Sequence, residues 1–158
     1  MYRRVLGLAL AGLCVLVLAS CQTPEEASGM SAMNADRGAN GQAGLGANLS
    51  LTMKAEQWAS YLAQNSGDTC SGATLSHSAL SNGAPQGWRK LGENVGCAIH
   101  GGDLQSFVGG LQTGFMNSPL HRANILDPAF NYGGVGMAQI DLGNGQMLVY
   151  EVQEFAAV

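Results

Sequence analysis

The residues best placed to do chemistry are the histidines, and His121 lies in the segment 115–126, which reads F-M-N-S-P-L-H-R-A-N-I-L. The dipeptide Ser118-Pro119 predicts one helix end and one helix start, because a residue before proline leaves the α region and proline suits the first helical position. We therefore expect His121 in the first turn of a short helix that Asp127-Pro128 ends. An imidazole fixed in this way suits proton transfer or metal binding, and it suits plain capping or packing equally well.

The segment 69–90 carries a second histidine, His77, next to the hydroxyl of Ser78. This segment has little hydrophobic periodicity and many Ser and Gly residues, which predicts a long loop, and long loops in compact domains are usually functional or disordered. The third histidine, His100, falls in a His-Gly-Gly turn, so we expect it to be exposed to solvent.

The composition is typical of one domain that forms a core. The chain has 158 residues, of which 46% are hydrophobic and 11% are charged. Its formal net charge is −4, and it contains no basic run and no interleaving of aromatic with basic residues. These features argue against a nucleic-acid partner.

The N-terminus has the pattern of a targeting signal. Arg3 and Arg4 precede an apolar run over residues 5–18, which indicates the charged region and the hydrophobic region of a signal peptide spanning residues 1–20. The following L-A-S-C, ending at Cys21, resembles a bacterial lipobox and implies cleavage before Cys21 and lipidation of its thiol. The alternative is ordinary secretion with an incidental cysteine.

Lipidation of Cys21 would anchor an otherwise soluble domain to the bacterial membrane without spanning it. Gln22 and not aspartate follows the cysteine, and in a Gram-negative cell this implies the outer membrane, on its periplasmic side or at the surface. Residues 21–33 contain proline and several small or polar residues, so we expect a lipidated cysteine followed by a flexible tether.

Hydrophobic periodicity predicts that helices come first in the chain and that the paired strands come last. The clearest helix is 51–64, whose apolar stripe is Leu51, Ala55, Trp58, Ala59 and Leu62 and whose solvent face is Lys54, Glu56, Gln57, Ser60 and Gln64. Further helices are expected at 30–39 and 104–117, and strands at 91–99, 132–141 and 146–155, with a hairpin turn at 142–145. This order predicts an α+β fold in which helices cover a small antiparallel sheet.

Two cysteines, Cys70 and Cys97, remain beyond the leader. In an oxidising envelope compartment, two cysteines in one exported domain usually form a disulfide, the alternative being two buried free thiols. The bond would close a loop of 27 residues, for which the loop-entropy relation gives a stabilisation of about 3.5 kcal/mol.

Several short motifs occur in a fixed order: the Trp58-Ala59 helix, His77-Ser78, G-E-N-V at 92–95, S-P-L-H-R-A-N-I-L at 118–126 and F-N-Y-G-G-V-G at 130–136. Together they resemble the CAP superfamily (cysteine-rich secretory proteins, antigen 5, pathogenesis-related 1), in particular its small bacterial branch. The resemblance covers residues 34–158 and implies an α–β–α sandwich with a cleft in which histidines and acidic residues face each other.

This resemblance implies a site formed by His77, Glu93 and His121, which match three members of the family's His-Glu-Glu-His tetrad. The remaining glutamate is absent, because the chain has F-M-N-S at 115–118. Leu120 also stands where the bacterial pattern has glycine. The chain therefore offers one tetrad carboxylate where the family has two.

Three functions are compatible with such a site. His77, His121 and Glu93 could hold Zn²⁺ or another divalent metal, or Glu93 could bind backbone amides while water links the two rings. The same residues could support hydrolysis or peptidase chemistry, with a histidine as general base acting on a metal-bound water, Ser78 or Ser118.

The third function is a non-enzymatic binding module for an envelope lipid, sterol, glycan or protein, and it is the leading hypothesis because no residue is a distinctive nucleophile. We expect the protein to act as a monomer whose contact with the membrane runs through Cys21.

Overall fold

The computed structural model describes residues 22–72 and 74–158. In chain order the elements are α1 (Pro24–Ala39), β1 (Gly46–Ala47), α2 (Leu49–Asn65), β2 (Lys90–Gly101), α3 (Leu104–Asn117), α4 (Pro119–Ile125), β3 (Tyr132–Asp141) and β4 (Gln146–Ala157). The expected leader, residues 1–20, and the expected lipidation site, Cys21, lie outside the described residues. Among the helices that are described, none has the length and apolar character needed to cross a bilayer.

The sheet has four strands in the order β1-β3-β4-β2. β4 is its central long strand and pairs antiparallel with β2 on one side and β3 on the other, whereas the two residues of β1 run parallel to β3. The predicted α+β class is confirmed, and the predicted antiparallel sheet is mixed because β1 adds this short parallel pairing.

Helices cover both faces of the sheet, which gives three layers. On one face α2 packs its Ala55, Ala59 and Leu62 against apolar side chains of β2 and β4. On the other face α1, α3 and α4 enclose a second core, formed by Met30, Met33, Leu45, Phe115, Ile125, Phe130, Val135, Phe155 and Ala157. The strands are therefore buried on both sides, and this explains why β4 is apolar at most positions of both faces.

Two glycines in β3 bring α2 directly onto the sheet. A Cβ atom on Gly134 would lie 2.3 Å from the backbone nitrogen of Thr52, and one on Gly136 would lie 2.1 Å from that of Glu56. No side chain fits at either position, so the α2 backbone rests on the strand. This contact fixes the depth at which α2 side chains enter the interior.

Residues 24–33, which composition predicts as part of a flexible tether, belong to α1, so that part of the prediction is wrong. Thr23 caps the helix with Glu26 in a reciprocal pair of bonds, from Glu26 N to Thr23 Oγ1 at 3.2 Å and from Thr23 N to Glu26 Oε2 at 2.9 Å. Pro24 occupies the first turn, as this capping arrangement allows. Met30 and Met33 then anchor the helix in the core.

Arg37 connects α1 to the end of α4. Its side chain is 1% exposed, and its guanidinium donates to the carbonyls of Ala43 at 2.7 Å, Ile125 at 2.7 Å and Asp127 at 3.0 Å. The bonds to Ile125 and Asp127 satisfy carbonyl groups where α4 ends. Since α4 carries His121, Arg37 helps to fix the position of that histidine.

Candidate functional site

Glu93 lies at the centre of a buried group of polar side chains, which we call the charged cluster: Lys54, Ser78, Glu93 and Glu154. Glu93 on β2 is the register partner of Glu154 on β4, so both side chains leave the same face of the sheet, toward α2. Lys54 enters from α2. Glu93, Glu154 and Lys54 are 4%, 1% and 6% exposed, and Ser78 is half-buried.

Hydrogen bonds occupy both oxygens of the Glu93 carboxylate. Its Oε1 atom lies 2.7 Å from His77 Nδ1 and accepts from Ser78 N at 2.9 Å. Its Oε2 atom accepts from the Ser78 hydroxyl and lies 3.4 Å from Lys54 Nζ. The Lys54 ammonium also donates to Ser78 Oγ and to the Glu154 carboxylate.

The two carboxyl groups share one negative charge. Burial, the largest cause, and the neighbouring Glu93 together raise the pKa of Glu154 to about 9, against the opposing effect of Lys54. Burial also acts to raise the pKa of Glu93, but hydrogen bonds with Glu154, Ser78 and His77 outweigh burial and leave that pKa below its ordinary value. At neutral pH the cluster thus holds a Lys54 cation, a Glu93 anion and a protonated Glu154, which sum to no net charge.

The two predicted site histidines occupy different surroundings. The His77 side chain is 62% exposed and contacts Glu93 directly. His121 is half-buried, and its ring meets Phe115 edge to face with the centroids 5.1 Å apart. Burial lowers the pKa of His121, and the nearby His77 lowers it further, so the rings lie within electrostatic range of each other. No hydrogen bond joins the His121 ring to Glu93; α4 is held instead through the His121 carbonyl, which accepts from Asn94 Nδ2 at 3.1 Å.

The contacts of these donors weigh against a divalent metal at this site. Within residues 22–72 and 74–158, no three His, Cys, Asp or Glu side chains are arranged to hold a metal ion. The Glu93 oxygens are already used by His77 and Ser78, and the Lys54 ammonium would repel a cation placed there. Metal binding by His77, Glu93 and His121 stays a prediction, and we derive no chemistry from it.

A separate cleft opens beside β2, and we call it the β2 cleft. Its volume is about 350 Å³. Apolar and small side chains form most of its walls, and His121 lies among them. The lining residues are Cys70, Ser71, Gly72, Leu75, Val95, Gly96, Cys97, Ala98, Gly110, Leu111, Gly114, Phe115, Ser118 and His121.

The Cys70–Cys97 disulfide builds one wall of the β2 cleft, and its formation confirms the predicted pairing. It ties the loop after α2 to β2 with the two Cα atoms 5.6 Å apart. On the opposite wall Phe115 packs over Gly96, where a Cβ atom would lie only 2.8 Å from the Phe115 ring. The cleft is therefore held open between a covalent bond and a tightly packed aromatic ring.

Two expectations about charged or titratable residues are wrong. Lys54, predicted on the solvent face of α2, is buried, because two carboxylates of the sheet lie beneath it. His100, expected to be exposed, is 4% exposed and stacks on Phe107 with the ring centroids 4.9 Å apart. The antiparallel pairing of β2 with β4 extends past His100 to Gly101, and this places the ring under α3.

Sequence reasoning also missed Glu154. It supplies the second carboxylate beside Glu93, but from β4 and not from the end of α3. A signal was present, because Glu154 interrupts the run Leu148, Tyr150 and Val152 on one face of the strand. A charged residue on such a face requires a buried partner.

Comparison with known proteins agrees with this architecture. The sequence profile of the cysteine-rich secretory protein family, CAP, matches residues 30–155. No curated protein sequence matches the chain.

Solved structures with a similar fold include proteins of three bacteria. An outer surface protein of Borrelia burgdorferi has a TM-score of 0.61 at 14% identity over 85% of this chain and 93% of its own. An extracellular protein of Bacillus anthracis that contains an SCP domain has a TM-score of 0.60 at 21% identity over 85% of this chain and 40% of its own. A cysteine-rich secretory protein of Staphylococcus aureus has a TM-score of 0.55 and 19% sequence identity, and the match covers 85% of this chain. This chain spans only 38% of the length of the Staphylococcus aureus protein. On the profile match, supported by these folds, the chain belongs to the CAP family of cysteine-rich secretory proteins.

Proposed function

We propose that this protein is a non-enzymatic binding module of the bacterial cell envelope that holds its ligand in the β2 cleft. The volume of about 350 Å³ falls within the range of small-ligand sites. Apolar walls with few polar groups are also typical of such sites, and here His121 supplies a polar group at the cleft.

The observation that carries the proposal is the separation of the β2 cleft from the charged cluster. Lys54, Glu93 and Glu154 contact one another beneath α2, and none of them lines the cleft. A buried set of charges that satisfies itself in this way serves packing and positioning more readily than turnover. The cleft, in contrast, is uncharged and open to a ligand.

A hydrolase or peptidase is the alternative, and the charged cluster weighs against it. Ser78 would be the nucleophile, but its hydroxyl accepts a bond from the Lys54 ammonium, which lowers its nucleophilic character. Glu93, which accepts the hydroxyl proton, has a lowered pKa and is therefore a weak general base. His77 lies on the other oxygen of Glu93 and has no hydrogen bond to Ser78.

The envelope location rests on the leader and on similar proteins. Residues 1–20 and Cys21 have the pattern of a lipoprotein signal, so we place the protein outside the cytoplasm with a lipid anchor. Proteins of similar fold include an outer surface protein and an extracellular protein. In a Gram-negative cell the anchor would lie in the outer membrane. We propose a monomer that binds no nucleic acid.

Two glycines of α3 provide a matched test of the β2 cleft. Gly114 lines the cleft and Gly109 does not, yet both are exposed helical positions where an added Cβ would meet no atom within 4 Å. We expect the neutral apolar dye N-phenyl-1-naphthylamine to fluoresce on binding to the wild-type protein and to Gly109→Leu. Gly114→Leu should weaken that binding at least tenfold, since leucine would fill the space that the dye occupies.

Thermal unfolding of both variants would show whether the fold is kept. Equal dye binding by the two variants, or no binding by the wild-type protein, would contradict the proposed site.

A further inference from the structure

We propose that the ligand of the β2 cleft is an extended, uncharged peptide segment that pairs with the free edge of β2. This inference rests on the proposed binding function and specifies the class of ligand. Its basis is the position of β2 at the border of the sheet, directly beside the cleft.

β2 is an edge strand of twelve residues. It pairs with β4 on one side, and no other strand of the described chain pairs with its second side. Four consecutive residues of this strand, 95–98, line the β2 cleft, and the next residue, Ile99, is 45% exposed. The cleft therefore runs along a row of backbone N–H and C=O groups that a ligand can reach.

The ligand could be a peptide or the hydrocarbon (acyl) chain of a lipid, and the free backbone N–H and C=O groups of β2 favour the peptide. A ligand that covers residues 95–99 removes water from their free N–H and C=O groups. A hydrocarbon chain offers no replacement bonds, and each unsatisfied buried group costs free energy. An added strand supplies both donors and acceptors at the spacing of the edge. The segment 95–99 would pair with about five ligand residues, a span of about 16 Å.

The first half of β2 is not available to such a ligand, because α4 covers it. Asn124 on α4 donates its side-chain amide to the carbonyl of Glu93 at 3.2 Å, and Asn94 donates to the carbonyl of His121 at 3.1 Å. Residues 92–95 are buried accordingly. Pairing would thus begin near Val95 and continue toward Ile99.

The walls of the β2 cleft indicate the side chains that the ligand carries. None of the lining residues that the structure describes is an Asp, Glu, Lys or Arg, so the walls carry no permanent charge that would pair with a charged side chain of the ligand. Leu75 lies on one wall and Leu111 and Phe115 on the other, while Gly110 and Gly114 leave room between them. Small apolar side chains at alternate positions of the peptide would fit this space.

A defined peptide tests the pairing. The probe is acetyl-Lys-Val-Ala-Val-Ala-Val-Lys-amide, in which the terminal lysines serve solubility. Two analogues carry N-methyl groups at the odd-numbered or at the even-numbered positions of its central five residues. Binding is followed by amide chemical shifts and hydrogen exchange of the ¹⁵N-labelled full chain. We expect shifts and slowed exchange at residues 95–99, and their loss in Gly114→Leu but not in Gly109→Leu.

The analogues separate strand pairing from simple apolar contact. Only alternate N–H groups of a strand face its neighbour, so one analogue should bind at least tenfold more weakly while the other keeps its affinity. Equal affinities of the two analogues, or no binding of the parent peptide, would overturn the inference. If the peptide test fails but the apolar dye binds the wild-type protein and not Gly114→Leu, the proposed binding function stands and only the peptide assignment is wrong. If neither the peptide nor the dye binds, both proposals are wrong.

Discussion

Two glutamates of β4 lie three residues apart, and their surroundings differ in one respect. Glu151 and Glu154 are 0% and 1% exposed and face opposite sides of the sheet. Glu154 contacts the Lys54 ammonium. Glu151 accepts a bond from Gln153 Nε2 at 2.9 Å through one oxygen, and its other oxygen, Oε2, has no partner among the described residues. Glu154 thus has a cation in contact with it, whereas Glu151 has only an amide.

The comparison shows how a neighbouring cation affects the charge of buried carboxyl groups. Burial raises the pKa of Glu151 to about 7, and the amide of Gln153 opposes this shift. Beneath α2, hydrogen bonds with Glu154, Ser78 and His77 keep the pKa of Glu93 low against the effect of burial. The Lys54 ammonium, 3.4 Å from the same carboxylate, balances its charge, and Glu154 keeps a proton. A buried carboxylate without a cation is a titrating group near neutral pH, whereas the charged cluster holds a fixed, neutral set of charges.

The largest expected effect comes from removing the cation. Lys54→Met leaves Glu93 and Glu154 buried with a negative charge that nothing balances. We expect the free energy of unfolding at pH 7 to fall by about 3–5 kcal/mol, as for one partner of a buried ion pair. Urea denaturation measures this change.

A double variant provides the control for Lys54→Met. Lys54→Met combined with Glu93→Gln removes both charges, and we expect it to recover most of the lost stability because no unpaired charge remains. A loss below about 1 kcal/mol in the single variant would mean that Lys54 does not hold the charged cluster together.

The next largest effect concerns Glu151 and depends on pH. Its pKa of about 7 in the folded chain exceeds the ordinary value of 4.5, so folding binds a proton that the unfolded chain releases. The stability from this proton is complete below about pH 4.5 and is lost as the pH rises to 7. Glu151→Gln keeps the shape and the oxygen that accepts from Gln153, but it cannot ionise.

We therefore expect Glu151→Gln to match the wild-type protein near pH 4.5 and to be more stable by about 3 kcal/mol at pH 8. Urea denaturation at several pH values between 4.5 and 8 gives the two curves. Parallel curves would show that Glu151 does not titrate in the folded chain.

Local signals made much of the fold predictable. The predicted bounds 104–117 coincide with α3, and the predicted helix 51–64 falls within α2. The turn at 142–145 joins β3 and β4 as expected. Caps, apolar periodicity and glycine-rich turns are encoded within a few residues, so they can be recognised in one sequence. The Cys70–Cys97 bond was predictable because only one pairing was available beyond the leader.

The charged cluster was harder to foresee, because it joins residues that are far apart in the chain. Glu154 lies 100 residues from Lys54, and no local rule brings the two together. A hint was present, since Lys54 follows Leu51 by three residues and precedes Trp58 by four, which places it beside the apolar stripe. The contact of His77 with Glu93 was expected only from the family resemblance.

The smallest expected effect comes from His77, which the resemblance placed at the centre of the site. Its ring is 62% exposed, and without it Ser78 N still donates to the same oxygen of Glu93 at 2.9 Å. We expect His77→Ala to lower the free energy of unfolding by less than about 1 kcal/mol at pH 7, because a single hydrogen bond from an exposed ring adds little net stability when a second donor remains on the same oxygen. The pKa of Glu93 should rise, because one of the hydrogen bonds that lower it is removed, and carboxyl ¹³C shifts followed over pH would report that change. If His77→Ala instead destabilised the protein as much as Lys54→Met, the exposed His77 ring and not the buried Lys54 cation would hold Glu93 in place. The presence of Lys54 would then no longer explain why the carboxyl groups beneath α2 differ from Glu151.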